Sequence, residues 1–295
     1  MGARSETGPS RGATQEGTSA MDHLVFFKLG GSLITDKRRE GTAREETIRR
    51  AAQEIHQALE ERPDLRLVLG HGSGSFGHFA ARRHGLLQEG PPNWRGYAET
   101  GAVAARLNRL VTDLLLAEGV PVVSLQPSAS AQCCDGELLH MAVEPIRELL
   151  AHGLVPLVYG DVALDQRRGH TIISTEQIFA HLARHLRPAR ILLAGDVGGV
   201  FTADPAFDPA ARLIPEITPT SLTQVERLLG GSAGIDVTGG MWAKVQVMVA
   251  LVEEMAGLEV QLISGEPPGR IARTLVGRGV TEGTSIRADQ TRRGR

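Results

Sequence analysis

The sequence is short of the features that mark several whole classes of protein. It has two cysteines, Cys133 and Cys134, and they are adjacent. Neighbours cannot form an ordinary disulfide with each other, so an oxidised, disulfide-stapled scaffold is excluded, and two small core residues are the plain reading. Aromatic residues make up 4% of the chain and the net charge is −2, so there are neither base-stacking platforms nor a basic surface for nucleic acid. No apolar run approaches the roughly 18 residues of a membrane span. There is no GxxxxGK[ST] and hence no P-loop. His181 and His185 are spaced i, i+4 on one expected helix, but no HExxH surrounds them, and the spacing reads as a solvated helix face.

Both ends look plain. Residues 1–20, "MGARSETGPSRGATQEGTSA", lack the apolar stretch of a signal peptide, and Glu6 stands where a myristoylation site needs Ser or Thr. They are expected to be a disordered tail, with Met21 as an alternative start, and residues 288–295 a frayed one. Between them, 21–287 reads as one domain of a cytoplasmic protein.

What is present is a regular alternation. "HLVFFKL", "LRLVLG", "VPVVSL", "LVPLVYG", "ARILLAG" and "LEVQLIS" are apolar enough to be strands buried on both faces. "EETIRRAAQEIHQALEE", the repeat Val103, Leu107, Leu110, Val111, Leu114, then "VEPIRELLAHG", "STEQIFAHLARHL" and "MWAKVQVMVALVEEM" carry helical spacing. The pattern predicts a three-layer αβα sandwich with a mainly parallel central sheet. Ligands of such sheets bind beyond the carboxyl ends of the strands. Glycine clusters fall at those ends: "KLGGS", "GHGSGSFGH", "YGDV" and "AGDVGGV", with "TGG" opening a helix. Several glycine turns on one sheet edge point to a shared phosphate-handling site.

Such a site needs bare backbone amides and fixed cations. Lys28 ends the first strand, Lys37 follows in the next loop, and Lys244 lies one turn into the helix opened by "TGGM". His78, at the end of the glycine loop, can donate a hydrogen bond to a second phosphate. Gly72, Gly74 and Gly77 also satisfy GxGxxG literally. The acidic residue a dinucleotide site wants about 20 residues on is missing from "GPPNWRGY", and that reading leaves the lysines unexplained. Phosphoryl transfer rests on positioning and charge neutralisation, so the lack of a Ser-His-Asp or paired-carboxylate constellation is expected.

The pieces "KLGGSLITDK", "HGSGSFGHFAA", "RLNRLVTDLLLAEGVPVVSLQPSA", "VYGDV", "AGDVGGVFTADP" and "DVTGGMWAKV" resemble the amino acid kinase superfamily. The histidine of GSFGH with a downstream TGGMxxK resembles its isopentenyl phosphate kinase branch, over about Leu24 to Ile286. The resemblance implies an amino acid kinase-like fold, with an N-terminal substrate-binding part and a C-terminal nucleotide-binding part. It implies ATP and Mg²⁺ as cofactors, a prenyl phosphate acceptor and a homodimer, with no metal-ligating side chains assigned. Lys28, Gly30, Gly31 and Ser32 would hold the ATP phosphates, and Lys37 would stabilise the transferring group. Gly72, Gly77 and His78 would meet the acceptor phosphate, while the Ser73 amide, where a glycine is common, would face ATP. Asp196 would line the nucleotide, Gly240 and Lys244 would reach its terminal phosphate, and Asp161 would orient the lysines. The family's "ISGDD" is "ISTEQ" here, which puts Thr175 at a substrate-side glycine. The implied activity is ATP-dependent conversion of isopentenyl phosphate, and of dimethylallyl phosphate, to the diphosphate. A fosfomycin-type phosphonate kinase and a non-catalytic binding or storage protein remain as alternatives. A five-carbon tail would want an apolar wall, which Phe76, Phe79, Leu86 and segment 98–105 could supply.

Overall fold

A computed structural model describes residues 23–86, 88, 90–229, 240–278 and 283–289. The expected tail 1–20, Met21, most of the segment 288–295, and Thr238 and Gly239 of "TGG" lie outside the described residues. In chain order the first elements are β1 (Leu24–Leu29), α1 (Gly31–Ile34), α2 (Glu45–Glu61), β2 (Arg66–His71), α3 (Gly74–Arg83), α4 (Trp94–Ala117) and β3 (Val122–Ser124). Then come β4 (Gln132–Cys134), β5 (Glu137–His140), α5 (Glu144–Ala151), β6 (Val155–Tyr159), β7 (Asp161–Asp165), β8 (Gly169–Ile173) and α6 (Thr175–Leu186). The last are β9 (Arg190–Gly195), β10 (Val200–Phe201), β11 (Leu213–Ile214), β12 (Glu216–Ile217), α7 (Leu222–Leu229), α8 (Gly240–Glu254), β13 (Glu259–Ser264), α9 (Arg270–Leu275) and β14 (Thr284–Ile286).

Eight strands form the central sheet in the order β12-β14-β13-β9-β1-β2-β6-β3. β13, β9, β1, β2, β6 and β3 run parallel, and β14 joins β13 antiparallel. The order turns at β1, whose neighbours are β2 on one side and β9 on the other. That is the switch point where an open parallel sheet leaves a crevice.

Strand periodicity decides what faces that crevice. Successive side chains of β1 alternate between two cores. Leu24 and Phe26 pack with residues of α6 and α8, whereas Val25, Phe27 and Leu29 pack with residues of α2 and α4. The αβα sandwich predicted from the sequence is therefore present. Lys28, at an even position, is placed on the α6–α8 side. Its register partner on β2 is Gly70. A side chain there would collide with Thr175 and Phe179, so the glycine lets the start of α6 come in close over Lys28.

Three features differ from the sequence reading. A second, four-stranded sheet, β5-β4-β7-β8, sits beside the main one. His181 is buried rather than solvated, with its ring 4.9 Å from that of His185. The stretch after β2 is a loop only as far as Ser73. From Gly74 it is helix, and His78 lies within that helix, not at a loop end.

Candidate active site

The glycine turns after β1 and β2 interlock. A Cβ at Gly31 would lie 2.6 Å from the Gly74 nitrogen, and one at Gly72 would lie 2.8 Å from the Gly31 nitrogen. Gly74 adopts φ +50°, a left-handed value that side-chain-bearing residues avoid. Thr35 ties the turns together: its hydroxyl donates to the Gly31 carbonyl (2.7 Å) and accepts from the Ser75 amide (3.0 Å). Gly30 joins β1 to β9 through its amide and the Ala194 carbonyl, 2.7 Å apart.

Most amides of this region are already bonded. Gly72 donates to the Leu29 carbonyl, and Phe76 and Gly77 both donate to the Ser73 carbonyl. Their N–H groups are thus spent within the fold, and what Gly72 and Gly77 offer a ligand is the close approach of backbone. Among the described residues, the Ser73 and Gly74 amides of the second turn have no hydrogen bond, and neither do the Gly31 and Ser32 amides of the first. The Ser73 and Gly74 amides are the open donors at the start of α3, where the helix dipole favours an anion. His78 stands one turn further along α3, half-buried.

The three lysines come from different elements. Lys28 is 5% exposed, and its Nζ lies 2.5 Å from Glu176 Oε1, in the first turn of α6. Burial works against the ionisation of Glu176. The charges of Lys28 and then Lys244 outweigh it and hold the carboxyl below the ordinary carboxylate range. Lys244, on α8, therefore shares the field of this acid. On the β9 side, Asp196 bridges two expected residues. Ser32 Oγ donates to its Oδ1 (2.6 Å), and Lys37 Nζ lies 2.9 Å from its Oδ2. Burial raises the Asp196 carboxyl, and these two partners more than reverse that. Gly240 is the first residue of α8, one turn ahead of Lys244.

Two expected residues do other work. The bonds of Asp161, expected beside the lysines, run to backbone instead. Asp161 is 2% exposed and accepts from the backbone amides of Ser128 (3.1 Å) and Val162 (2.8 Å). Burial raises its carboxyl, against the pull of those bonds. The acid beside Lys28 is Glu176, which the sequence reading passed over. Thr175 does not face a substrate with its side chain: it is fully buried, and its hydroxyl donates to the His71 carbonyl at 2.7 Å. Of the suggested apolar wall, Leu86 is buried, Phe76 packs against the core beneath α2 and α4, and Phe79 is 37% exposed.

A parallel α/β sheet with three lysines and two interlocked glycine turns at its switch point defines a protein built to gather phosphate groups. The sequence pattern of the amino acid kinase family matches residues 23–264, and the chain belongs to that family. The isopentenyl phosphate kinase of Methanothermobacter thermautotrophicus is 40% identical over 272 residues, 89% of this chain and 98% of the relative. That of Haloferax volcanii is 37% identical, over 85% of this chain and 98% of its own. Among solved structures, an isopentenyl phosphate kinase at 36% identity superposes with a TM-score of 0.76, covering 90% of this chain and 100% of the other. No described helix is long and apolar enough to cross a membrane.

Proposed function

We propose that the protein is an ATP-dependent isopentenyl phosphate kinase, adding a second phosphate to isopentenyl phosphate, and to dimethylallyl phosphate, for isoprenoid biosynthesis. The observation that carries this is the gathering of three lysines at the crevice between β1, β2 and β9: Lys28 and Lys37 each paired with a carboxylate, and Lys244 close enough for its charge to act on Glu176. The resemblance gave the Ser73 amide to ATP, but that amide opens α3 beside the Gly74 amide, on the helix that carries His78, so the reading departs from it there: the acceptor's phosphate sits at the start of α3, against the Ser73 and Gly74 amides and His78. Its oxygen attacks the terminal phosphorus of ATP in line, and the leaving diphosphate oxygen departs toward the α8 side. A phosphate monoester is largely ionised near neutrality, so no strong general base is needed. The lysines spread the charge that develops on the transferred group.

ATP lies between the turn Gly30–Ser32, the Asp196 end of β9 and the Gly240 end of α8. Among the described residues no cluster of three or more histidine, cysteine or acidic side chains could hold a metal ion. The groups facing the crevice are amides, hydroxyls, ammonium groups and the single carboxylate of Asp196, a set that would suit a Mg²⁺ ion carried mainly by the nucleotide's phosphates. Such an ion would supply charge neutralisation to those phosphates. The working form is a cytoplasmic homodimer.

The test is direct. Purified protein with ATP and Mg²⁺ is given isopentenyl phosphate, dimethylallyl phosphate or fosfomycin, and diphosphate formation is followed by phosphorus NMR. The prenyl phosphates should turn over, isopentenyl phosphate foremost. Faster turnover of fosfomycin would overturn the reading, and no turnover of any acceptor would leave a binding protein.

A further inference from the structure

His71 closes β2 and takes no part in the steps above. Its ring is wholly buried and lies flat against Tyr159, with centroids 5.5 Å apart and planes 7° from parallel. Every polar atom beyond its amide is engaged. Nδ1 lies 3.0 Å from the Gly72 carbonyl oxygen, and Nε2 lies 3.1 Å from Asn108 Nδ2. The Ser124 hydroxyl donates to Asn108 Oδ1 in turn. The His71 carbonyl accepts from the Gly160 amide (3.0 Å) and from Thr175 Oγ1 (2.7 Å).

With the Asn108 carbonyl turned to the Ser124 hydroxyl, as here, one set of protons satisfies this chain. A carbonyl can only accept and an amide NH₂ can only donate. Nδ1 therefore carries the proton and Nε2 presents its lone pair, so the ring is neutral. Burial, against the pull of the Gly72 bond and helped by the nearby Lys28 charge, lowers its pKa to about 4.

The Gly72 carbonyl and the Ser73 N–H belong to one planar trans peptide unit and point in opposite directions. Holding the carbonyl toward the imidazole therefore aims the Ser73 N–H. That amide is one of the two open donors at the start of α3. We propose that His71 is a positioning residue that aims the Ser73 amide at the acceptor's phosphate, with Asn108 and Ser124 holding its ring in the tautomer this requires. The proposal rests on the functional reading above in taking the start of α3 as the seat of that phosphate.

Two substitutions separate the ring's two nitrogens. The amide nitrogen of asparagine falls where Nδ1 lies, and the amide of glutamine where Nε2 lies. His71→Gln keeps a partner for Asn108 and loses the donor to Gly72. It should raise KM for isopentenyl phosphate about tenfold, the loss of roughly one hydrogen bond to a charged group, with a smaller change in KM for ATP. His71→Asn should recover most of that loss. If the two variants behave alike, or both substrates' KM values rise together with a fall in Tm, the ring only supports the fold and the proposal is wrong. Nitrogen NMR of the ligand-free protein gives a second measurement. A proton on Nε2 instead of Nδ1 would overturn the proposal whatever the substrate. If the parent protein does not turn over isopentenyl phosphate, the functional reading falls by itself. Inorganic phosphate titrated against the Ser73 amide resonance then decides the positioning role. A shift in the parent that is lost in His71→Gln supports it, and no shift in the parent overturns it.

Discussion

Two lysine–carboxylate pairs flank the same crevice in opposite surroundings. Lys28 and Glu176 are closed off from water, with side chains 7% and 3% exposed, while Lys37 and Asp196 are open, at 64% and 31%. The sheet explains the contrast. Lys28 lies within β1 beneath α6, so its charge needs a partner in the fold itself. Lys37 lies beyond α1 in a loop, where water can replace Asp196. A closed pair is a fixed element that holds its charge in place before any ligand arrives. An open pair can exchange its partner for a phosphate at little cost.

The largest expected effect tests that difference. Removing one member of a buried pair leaves the other charge stranded and costs about 3–5 kcal/mol, whereas an exposed pair contributes about 0–1 kcal/mol. Glu176→Gln should therefore lose several kcal/mol of stability in urea, and Asp196→Asn almost none. The sign with pH follows from the depressed Glu176 carboxyl. Its contribution is fully present above the unfolded carboxylate value. It is lost as pH falls through the ordinary range toward the lower folded value, so the acid limb of the stability curve should be shallower in Glu176→Gln. Equal losses in the two variants would mean that burial does not separate the pairs.

The next effect runs the other way, in activity. If Lys37 meets the transferring phosphoryl group, Lys37→Ala should lower kcat by roughly 10²–10³-fold, as removal of one stabilising donor does elsewhere. Nucleotide affinity and Tm should stay close to those of the parent. A rise in KM for ATP at unchanged kcat would make Lys37 a nucleotide-binding residue instead. On the acceptor side, His78→Ala should weaken isopentenyl phosphate by about 1.5–3 kcal/mol, the value of a hydrogen bond to a charged group. Calorimetry should show ATP binding hardly changed. Parallel losses for both ligands together with a lower Tm would mark the histidine as structural.

How far the sequence foretold this site depends on what each residue's neighbours contribute. The double-faced strands were legible because continuous apolar runs have few other uses, and α2 spans the predicted Glu45–Glu61. The sheet of β4, β5, β7 and β8 was not, because its strands are three to five residues long and partly exposed. The helix from Gly74 was hidden by its glycines, which oppose helix in isolation and are outweighed here by packing against α4. Glu176 was missed although a signal existed. Lys28 falls on the even face of β1, a buried lysine needs an opposite charge, and Glu176 is the acidic residue in the first turn of the helix covering that face. The hydrogen-bond chain from His71 through Asn108 to Ser124 joins residues up to 53 positions apart in sequence, and no local pattern announces it.

The smallest effect concerns shape, and it sharpens the contrast between a side fixed by charge and one fixed by close approach. Ser73 lies four residues ahead of Gly77, one turn away across the start of α3. Its side chain occupies the space a Cβ at Gly77 would need, with the serine Cβ 2.6 Å from that position. Inside an ordinary helix Gly→Ala gains up to about 1 kcal/mol. Here overpacking should cost about 1–3 kcal/mol, so Gly77→Ala should be slightly destabilising on balance. In a Ser73→Gly background the obstruction is gone, and the same substitution should be neutral or stabilising. A double-mutant cycle in urea should then show coupling of about 0.5–3 kcal/mol between the two positions. Additive effects would mean that α3 relaxes around the added methyl group and that the start of this helix is less tightly defined than the interlocked turns beside it.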